Sequence, residues 1–259
     1  RMLKKLCLTA SLVALIPTGF AHAGEGVYIS GSIGAVNQSS SDNEGVTGAF
    51  TTGDIGDGST IDVAAGTDYG WNTKFDGGEA LALELGKRYS NGVRFGLEYV
   101  NTSADVDTHT GVTLGGGAIG ALDAAAIAGA PEPLGVTIAD VVADGQGDLK
   151  QSAVFLNAYY DFNSGGTLQP YLGAGLGFSD VKVDYMPSAI QVIDDSDILF
   201  AYQGKAGVTV SFDSPLELFG EVAYRATSDV ETDNVLFPGT LDIENKQTSF
   251  SAGLRFKFG

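Results

Sequence analysis

The sequence predicts an all-β chain that folds as an eight-stranded antiparallel up-and-down transmembrane β-barrel, with short turns at one end and long loops at the other. The first observation is the final segment, 246–258, in which apolar and polar residues alternate. Successive side chains of a strand point to opposite faces, so this segment has an apolar face and a face that carries two cations, Arg255 and Lys257. The second observation is that the alternation recurs along the chain. The third is that short links alternate with long acidic ones, which is typical of barrels with short periplasmic turns and long extracellular loops.

Eight segments carry the alternation. In chain order they are 26–38, 77–89, 93–105, 149–162, 169–184, 199–212, 216–229 and 246–258. Short turns at 90–92, 163–166 and 213–215 join three pairs of them, and Asn91-Gly92 has the composition of a tight hairpin turn. The long links are 39–76, 106–148, 185–198 and 230–245. A soluble β-sandwich, which is the alternative fold, has no reason to sort its links in this way.

Residues 1–23 have the composition of a secretory signal peptide. They contain a basic start with Arg1, Lys4 and Lys5, an apolar core, and small residues at the expected cleavage site. The alternative is a membrane-anchoring helix, but the apolar run is shorter than the roughly 20 residues that a spanning helix needs. We expect cleavage after residue 23 and a barrel domain over residues 24–259. The single cysteine, Cys7, would leave with the leader, so we expect no disulfide in the mature chain.

The net charge of −18 makes nucleic-acid binding an unfavourable hypothesis, because the phosphate backbone repels an acidic surface. Such a charge is also common in disordered chains, but the alternating segments argue against disorder for most of the sequence. Beyond the leader no apolar run reaches 18 residues. If the mature chain lies in a membrane, a closed barrel is therefore the structure that can satisfy its backbone hydrogen bonds there.

The apolar face carries two groups of aromatic residues, which we expect to form girdles at the two membrane interfaces. They are Tyr89, Phe95, Phe162, Phe212 and Phe258 near the short turns, and Tyr99, Phe178, Tyr202, Tyr224 and Phe250 farther up. The opposite face carries charges that we expect to pair in a narrow lumen as a structural network. They are Glu84, Arg88, Arg94, Glu98, Lys205, Glu217, Glu221, Arg225, Arg255 and Lys257. The other interpretation is that these charges face water on the outside of a sandwich, since an apolar core would not tolerate them.

Several segments are similar to a known family. PYLGAGLG at 170–177, AYQGKAGV at 201–208 and the leader resemble the OmpA-like, porin-family β-barrel proteins of Gram-negative bacteria, and 201–208 is similar to their alphaproteobacterial surface-antigen branch. The ending LRFKF resembles the C-terminal signal read by the barrel-assembly machinery, with Phe256 and Phe258 as its aromatic residues, although Gly259 follows them here. The resemblance covers the strands and short turns but not the long links. It implies export to the outer membrane, with membrane lipid, lipopolysaccharide and the assembly machinery as partners, and no cofactor.

One histidine, His109, remains beyond the leader. In Asp105-Val-Asp107-Thr-His109 the three polar side chains would share one strand face, a spacing compatible with a metal or a proton relay. The simpler interpretation is a solvated histidine at a loop edge. We therefore predict no catalytic, cofactor or metal site, and that the chain is not an enzyme.

The long links contain three segments with alternative interpretations. Residues 53–58 have the glycine and aspartate content of a calcium loop, but the acids do not occupy EF-hand positions, so we predict a flexible loop. The glycine-rich run 114–120 lacks the Lys-Ser/Thr of a phosphate loop. Residues 118–130 are apolar enough for a short helix. Three positions for this helix stay open: on top of the barrel, in its mouth, or exposed to solvent. The many acids predict a solvated loop surface, or one that holds Ca²⁺ or Mg²⁺ at the anionic lipopolysaccharide.

The expected function is that of a surface-exposed structural protein of the surface-antigen type, which presents its long links and stabilises the envelope. Eight strands enclose an interior that side chains fill, so free passage of solute is not expected. Two alternatives stay open. One is a small diffusion channel, because the inward residues Gly173, Gly175 and Gly177 leave space for water. The other is an adhesin that binds through the long links.

Overall fold

The computed structural model describes residues 26–189, 192–212 and 214–258, so the predicted leader lies outside the described residues. The strands are β1 (Gly26–Gln38), β2 (Ser41–Thr47), β3 (Phe50–Thr51), β4 (Asp62–Val63), β5 (Asp68–Phe75), β6 (Gly77–Arg88), β7 (Val93–Leu114), β8 (Gly117–Ala118), β9 (Gly147–Asp161), β10 (Leu168–Tyr185), β11 (Ile193–Ser211), β12 (Leu216–Thr227), β13 (Val230–Asp233), β14 (Gly239–Ile243) and β15 (Lys246–Phe258). The helices are α1 (Ala125–Ala128) and α2 (Ile138–Ala143), with a 3-10 turn at Pro187–Ala189.

Eight of the described strands pair antiparallel in a closed ring. The order is β1, β6, β7, β9, β10, β11, β12, β15 and back to β1. The closing seam runs from Val27 opposite Phe258 to Gln38 opposite Gln247. Neighbours in the ring follow one another along the chain, apart from short strands in the long links. The ring confirms the predicted all-β, antiparallel, up-and-down architecture.

The short links lie at the same end of the ring as both ends of the described chain, because Gly26 pairs with Arg88 and Val27 with Phe258. In the first short turn the amide of Gly92 donates to the carbonyl of Tyr89 at 3.2 Å. Gly92 adopts a left-handed φ of 84°, which favours glycine at this position. A tight hairpin turn formed by Asn-Gly would give both residues a positive φ, but Gly92 alone of the two adopts it.

Each face of the long strands changes polarity along its length. On β10 the outward face carries Phe178 and then, one pleat farther, Asp180 and Lys182. The inward face changes in the opposite sense, because Val181 and Val183 at this level are fully buried. The lower part of the ring is therefore apolar outside and polar inside, as expected of a segment in lipid. The upper part is polar outside and apolar inside, as expected of a segment in water.

Above that level the long links fold against one another. Strands β2, β5, β13 and β14 continue β1, β6, β12 and β15 upward, and they pair in the order β13–β14–β2–β5–β7. We call this upper part, with segment 115–146 and the upper ends of β7, β10 and β11, the outer cap. Its core is apolar and comprises Tyr69, Val106, Leu149, Val181, Val183, Tyr185, Ile193, Leu199, Val230, Leu241 and Ile243.

The prediction that the long links are solvated loops is therefore wrong for much of their length. Strand β7 extends to Leu114, well beyond the expected end near residue 105, and β11 begins at Ile193 rather than at residue 199. On β7 the buried Val106 lies between Asp105 and Asp107, which face water. On β11 the exposed Asp194, Asp195 and Asp197 follow the buried Ile193. The acidic composition concealed a strand pattern whose buried face lies inside the outer cap.

The three special segments of the long links have structural roles. Gly115 and Gly116, both with positive φ, form the two-residue turn between β7 and β8. The carboxylate of Asp54 accepts hydrogen bonds from the amides of Gly56 and Gly58, at 2.7 and 3.1 Å, so it stabilises a turn. Within 118–130 only Ala125–Ala128 is helical, and this helix packs into the outer cap.

No helix in the described parts of the chain is long and apolar enough to cross a membrane.

If the lower outward face lies in lipid, a charge placed there is costly. Leu254 is 49 % exposed and is the middle one of five outward apolar residues on β15. We predict that Leu254→Arg lowers the free energy of unfolding in phospholipid bilayers by about 2–4 kcal/mol, since an arginine at the midplane loses its hydration. Equilibrium urea unfolding in vesicles measures this loss.

The matched control is Leu134→Arg in the outer cap, where the leucine side chain is similarly exposed, at 51 %. This change should leave the free energy of unfolding nearly unchanged. Equal effects of the two substitutions would contradict a lipid-facing β15.

Candidate functional site

The charged residues that the sequence placed on the polar face lie together inside the ring. Eight of them are buried: Glu84, Arg88, Arg94, Glu98, Lys205, Glu217, Arg225 and Arg255. The side chain of Glu221 is also nearly covered, whereas that of Lys257 is 33 % exposed, near the short-turn end. The alternation of the strands aims all of these side chains inward. The lumen is therefore the candidate functional site.

Asp161 lies between two arginines at the lower end of the lumen. Its Oδ2 is 2.8 Å from Arg94 Nε and 3.1 Å from Arg88 Nε. Asp161, Arg94 and Arg88 are all buried, so each charge depends on its partners for stabilisation. Asp161, the last residue of β9, is not among the charges that we expected to pair in the lumen.

Glu217 is the second lower counterion and serves three cations. Its carboxylate lies 2.9 Å from Arg88 Nη1, 3.3 Å from Arg255 Nη1 and 3.1 Å from Lys257 Nζ. Arg88 therefore bridges Glu217 and Asp161. The lower network thus links β6, β7, β9, β12 and β15 across the inside of the ring.

A second ionic group lies higher, around Lys205. Its ammonium is 2.6 Å from Glu98 Oε1 and 2.9 Å from Glu221 Oε1. Glu98 also accepts hydrogen bonds from Gln203 and Asn157, at 2.7 and 2.9 Å. The charges at this level are thus hydrogen-bonded as well as paired, which a low-dielectric interior requires.

Arg225 stands beside the Lys205 group and is held by neutral acceptors. Its Nε donates to Gln203 Oε1 at 2.9 Å and its Nη1 donates to Ser249 Oγ at 2.8 Å. Gln203 in turn donates to Glu98, so the guanidinium is linked to a carboxylate through one amide.

Tyrosines separate the lower cations from the upper carboxylates. Tyr28 donates its hydroxyl to Glu84 at 2.7 Å, and Tyr159 donates to the same carboxylate. Tyr171 donates to Glu221 at 2.9 Å. The guanidinium of Arg94 lies over the Tyr159 and Tyr171 rings, at 4.3 and 4.9 Å from their centroids. Each tyrosine thus presents its hydroxyl to an anion and its π face to a cation.

Glycines on neighbouring strands make room for these rings. A Cβ atom at any of four inward glycines would overlap the aromatic ring of its cross-strand partner. The pairs are Gly86 with Tyr28, Gly173 with Tyr159, Gly207 with Tyr171, and Gly253 with Phe219. The alternative of a small diffusion channel assumed that Gly173, Gly175 and Gly177 leave space for water. Tyr159 fills the space beside Gly173, and Asn157 and Gln203 fill that beside Gly175.

Two small cavities lie between described lumen residues. One beside Lys205 and one beside Arg225 measure about 10 Å³ each. A single water molecule needs roughly 10–15 Å³, so neither cavity provides a continuous aqueous path.

His109 is not the solvated loop residue that the sequence suggested. Lys74 pairs with Thr108 and Phe75 with Val106, so Asp107 is the extra residue of a β-bulge. The bulge turns His109 to the buried face, where it is 3 % exposed, while Asp105 and Asp107 face water. The expectation that the three polar side chains share a face is therefore wrong. Within the described ranges, no three His, Cys, Asp or Glu side chains are grouped closely enough to hold a metal ion.

The arginines of the lower network should depend strongly on Asp161. We predict that Asp161→Asn lowers the free energy of unfolding in phospholipid vesicles by about 3–5 kcal/mol, because it leaves two buried guanidinium groups without their shared counterion. Urea titration followed by the gel mobility of unboiled samples measures the change.

Glu244→Gln is the matched control, because Glu244 pairs with Lys246 at 2.8 Å in the solvent-exposed part of the outer cap. The free energy of unfolding should not change in this variant. An Asp161→Asn protein as stable as wild type would show that the lower network does not support the ring.

Solved structures similar to this chain are bacterial outer-membrane proteins. Neisserial surface protein A is 16 % identical, with a TM-score of 0.45, and the match covers 91 % of this chain and 98 % of that one. OprG from Pseudomonas aeruginosa is 14 % identical, with a TM-score of 0.46 and coverages of 90 % and 97 %. No curated protein matches the sequence.

The prediction that the chain is not an enzyme needs correction. The similar structures include the outer membrane protease OmpT from Escherichia coli, at 9 % identity, a TM-score of 0.44 and coverages of 93 % and 99 %. The prediction rested on His109 as a solvated loop histidine, and it does not hold for a fold that can carry unrelated activities.

The match to a family model covers nearly the whole sequence. The model describes the outer membrane protein beta-barrel domain and aligns with residues 7–256. Such barrels reside in the outer membrane of Gram-negative bacteria. The chain therefore belongs to the outer membrane protein beta-barrel domain family.

Proposed function

We propose that this protein crosses the outer membrane as an eight-stranded barrel that is closed to solutes and displays its outer cap at the cell surface, as a surface antigen does. The observation that carries the proposal is the packed lumen. Ion pairs, tyrosine rings and amides occupy it, and the cavities beside Lys205 and Arg225 are no larger than about one water molecule.

The upper ionic group spans the lumen. Lys205 reaches from β11 across the lumen to Glu98 on β7, three strands away in the ring, and also contacts Glu221 on the adjacent strand β12. Neutral donors hold both carboxylates in place, Asn157 for Glu98 and Tyr171 for Glu221. Moving the lysine aside would leave these two buried negative charges without the cation that they pair with. This arrangement favours a side-chain plug that stays closed at rest.

The outer cap supports the surface role. It is a folded structure with a buried apolar core, and it places acidic residues such as Asp194, Asp195 and Asp197 on its exposed surface. A rigid acidic surface beyond the membrane is suited to display.

Export and assembly complete the proposal. Residues 1–23 would direct secretion and then be removed. Phe256 and Phe258 are outward and exposed on the last strand, where the barrel-assembly machinery would recognise them during biogenesis. In the finished protein the same face would contact membrane lipid and lipopolysaccharide.

Planar-bilayer conductance tests the closed lumen. We predict that the wild-type protein gives no steady single-channel current, whereas the double variant Glu98→Ser/Lys205→Ser gives one. The double change removes one positive and one negative side chain from the upper ionic group. It should therefore open a path for water while the net charge of the lumen stays the same.

The control is Glu244→Ser/Lys246→Ser, which removes the same residue types from an exposed pair of the outer cap and should remain silent. A steady current through the wild-type protein would reject the closed barrel and support the small diffusion channel.

A further inference from the structure

The outer cap encloses an apolar cavity of about 80 Å³ that no role described so far uses. All four long links contribute to its wall, with Trp71 from the first, Ile127 from the second, Val192 from the third and Phe237 from the fourth. Ile61, also in the wall, is 41 % exposed, so the cavity reaches the molecular surface there.

Aromatic contacts fix the shape of the wall. Phe50 stacks on Phe237 with ring centroids 5.0 Å apart, and Tyr69 meets Phe237 edge to face at 5.0 Å. Trp71 meets His109 edge to face at 6.4 Å. The cavity is therefore bounded by rings that brace one another, which is the form of a preformed small-molecule site.

His109 places an unsatisfied hydrogen-bonding atom in this wall. Its Nδ1 is 2.8 Å from Thr73 Oγ1, and the Thr73 hydroxyl also accepts from Asn43 at 2.7 Å. Its Nε2 is buried and has no hydrogen-bond partner. Burial lowers the pKa of His109 to about 4, so the imidazole is neutral at neutral pH. A neutral imidazole has one donor and one acceptor nitrogen, so Nε2 has an unmet hydrogen bond in either tautomer.

Three other polar atoms of the wall also lack a hydrogen bond of good geometry, namely Tyr69 OH, Tyr185 OH and Asn234 Nδ2. The side chains of Tyr69 and Asn234 are neighbours, and the Tyr185 hydroxyl lies beside Thr73. These atoms have polar neighbours within the protein. His109 Nε2 therefore offers the clearest anchor for a polar group of a ligand.

Water suits this cavity poorly. The volume would hold several water molecules, at roughly 10–15 Å³ each, but an ordered water needs two to four polar partners. The wall consists mainly of aromatic and aliphatic side chains. A mostly apolar molecule that satisfies one polar atom fits better.

We propose that the outer cap binds a small apolar molecule, of the size of one aromatic ring or a short hydrocarbon chain, that carries a single hydrogen-bonding group such as a hydroxyl. The apolar part lies against Trp71 and Phe237, and the hydroxyl bonds to His109 Nε2. The site lies in the outer cap, so it does not depend on whether the lumen conducts.

The probes are 4-fluorophenol and fluorobenzene, which differ in the hydroxyl. Binding to folded protein in lipid nanodiscs is followed by the ¹⁹F chemical shift of the probe and by the fluorescence of Trp71, the single tryptophan of the chain. We expect saturable shifts in both signals and an affinity about tenfold higher for 4-fluorophenol, the size of one good hydrogen bond.

Two variants of helix α1 control for partitioning of the probes into lipid. Ala126 is buried in the cavity wall, so Ala126→Phe should fill the cavity and abolish the saturable signal. Ala128 is exposed on the same helix, so Ala128→Phe should bind as wild type does. Equal probe signals in these two variants, or no saturable signal in wild type, would overturn the proposal.

His109→Phe tests the anchor and does not require Ala126→Phe to fold. The variant keeps an aromatic ring in the wall but has no Nε2. It should bind 4-fluorophenol about tenfold more weakly and fluorobenzene as before, since one hydrogen bond is lost. Equal affinity of the wild-type protein for the two probes would reject His109 as the anchor.

Discussion

The structure depends on one constraint. Each strand has only two faces, and the long strands extend from a level suited to lipid into a level suited to water. In the lower ring the outward residues are apolar and the inward residues charged, and above it the assignments are reversed. The period of two is unbroken across the boundary, as at Phe178, Ser179, Asp180 and Val181 on β10. One continuous backbone ladder can therefore serve both levels, since only the residue types change.

The lumen meets a stricter requirement, because a charge that cannot reach water must be neutralised by its neighbours. Arg94 illustrates how completely this is done: it pairs with Asp161 and lies over the rings of Tyr28, Tyr159 and Tyr171. The tyrosines in turn need glycines opposite them, because a Cβ atom there would overlap their rings. The pairing of the buried charges and the close packing of the ring therefore depend on the same residues. Removing a charge and filling a glycine position would disturb the same contacts.

The sequence predicted the up-and-down sheet and the direction in which the lumen charges point, because period-two alternation over 12 or more residues defines both faces. It did not reveal which charges meet, as for Asp161 with Arg88 and Arg94, since partners across the ring depend on register. The outer cap was missed because runs such as 241–244 alternate apolar and acidic residues and resemble acidic loops in composition. His109 was misplaced because a bulge at Asp107, which shifts every following side chain, leaves no signal in the residue types.

The seam between β1 and β15 continues upward as the pairing of β2 with β14, from Asn43 opposite Ile243 to Thr47 opposite Gly239. The first and last hairpins of the chain are thus fastened together twice, once in the wall and once above it. The seam pairs the two ring strands that are farthest apart in the sequence, so its closure has the largest loop-closure cost among the ring pairings. The β2–β14 pairing holds the same two hairpins together above the seam. The ring and the outer cap should therefore close, and open, as one cooperative unit.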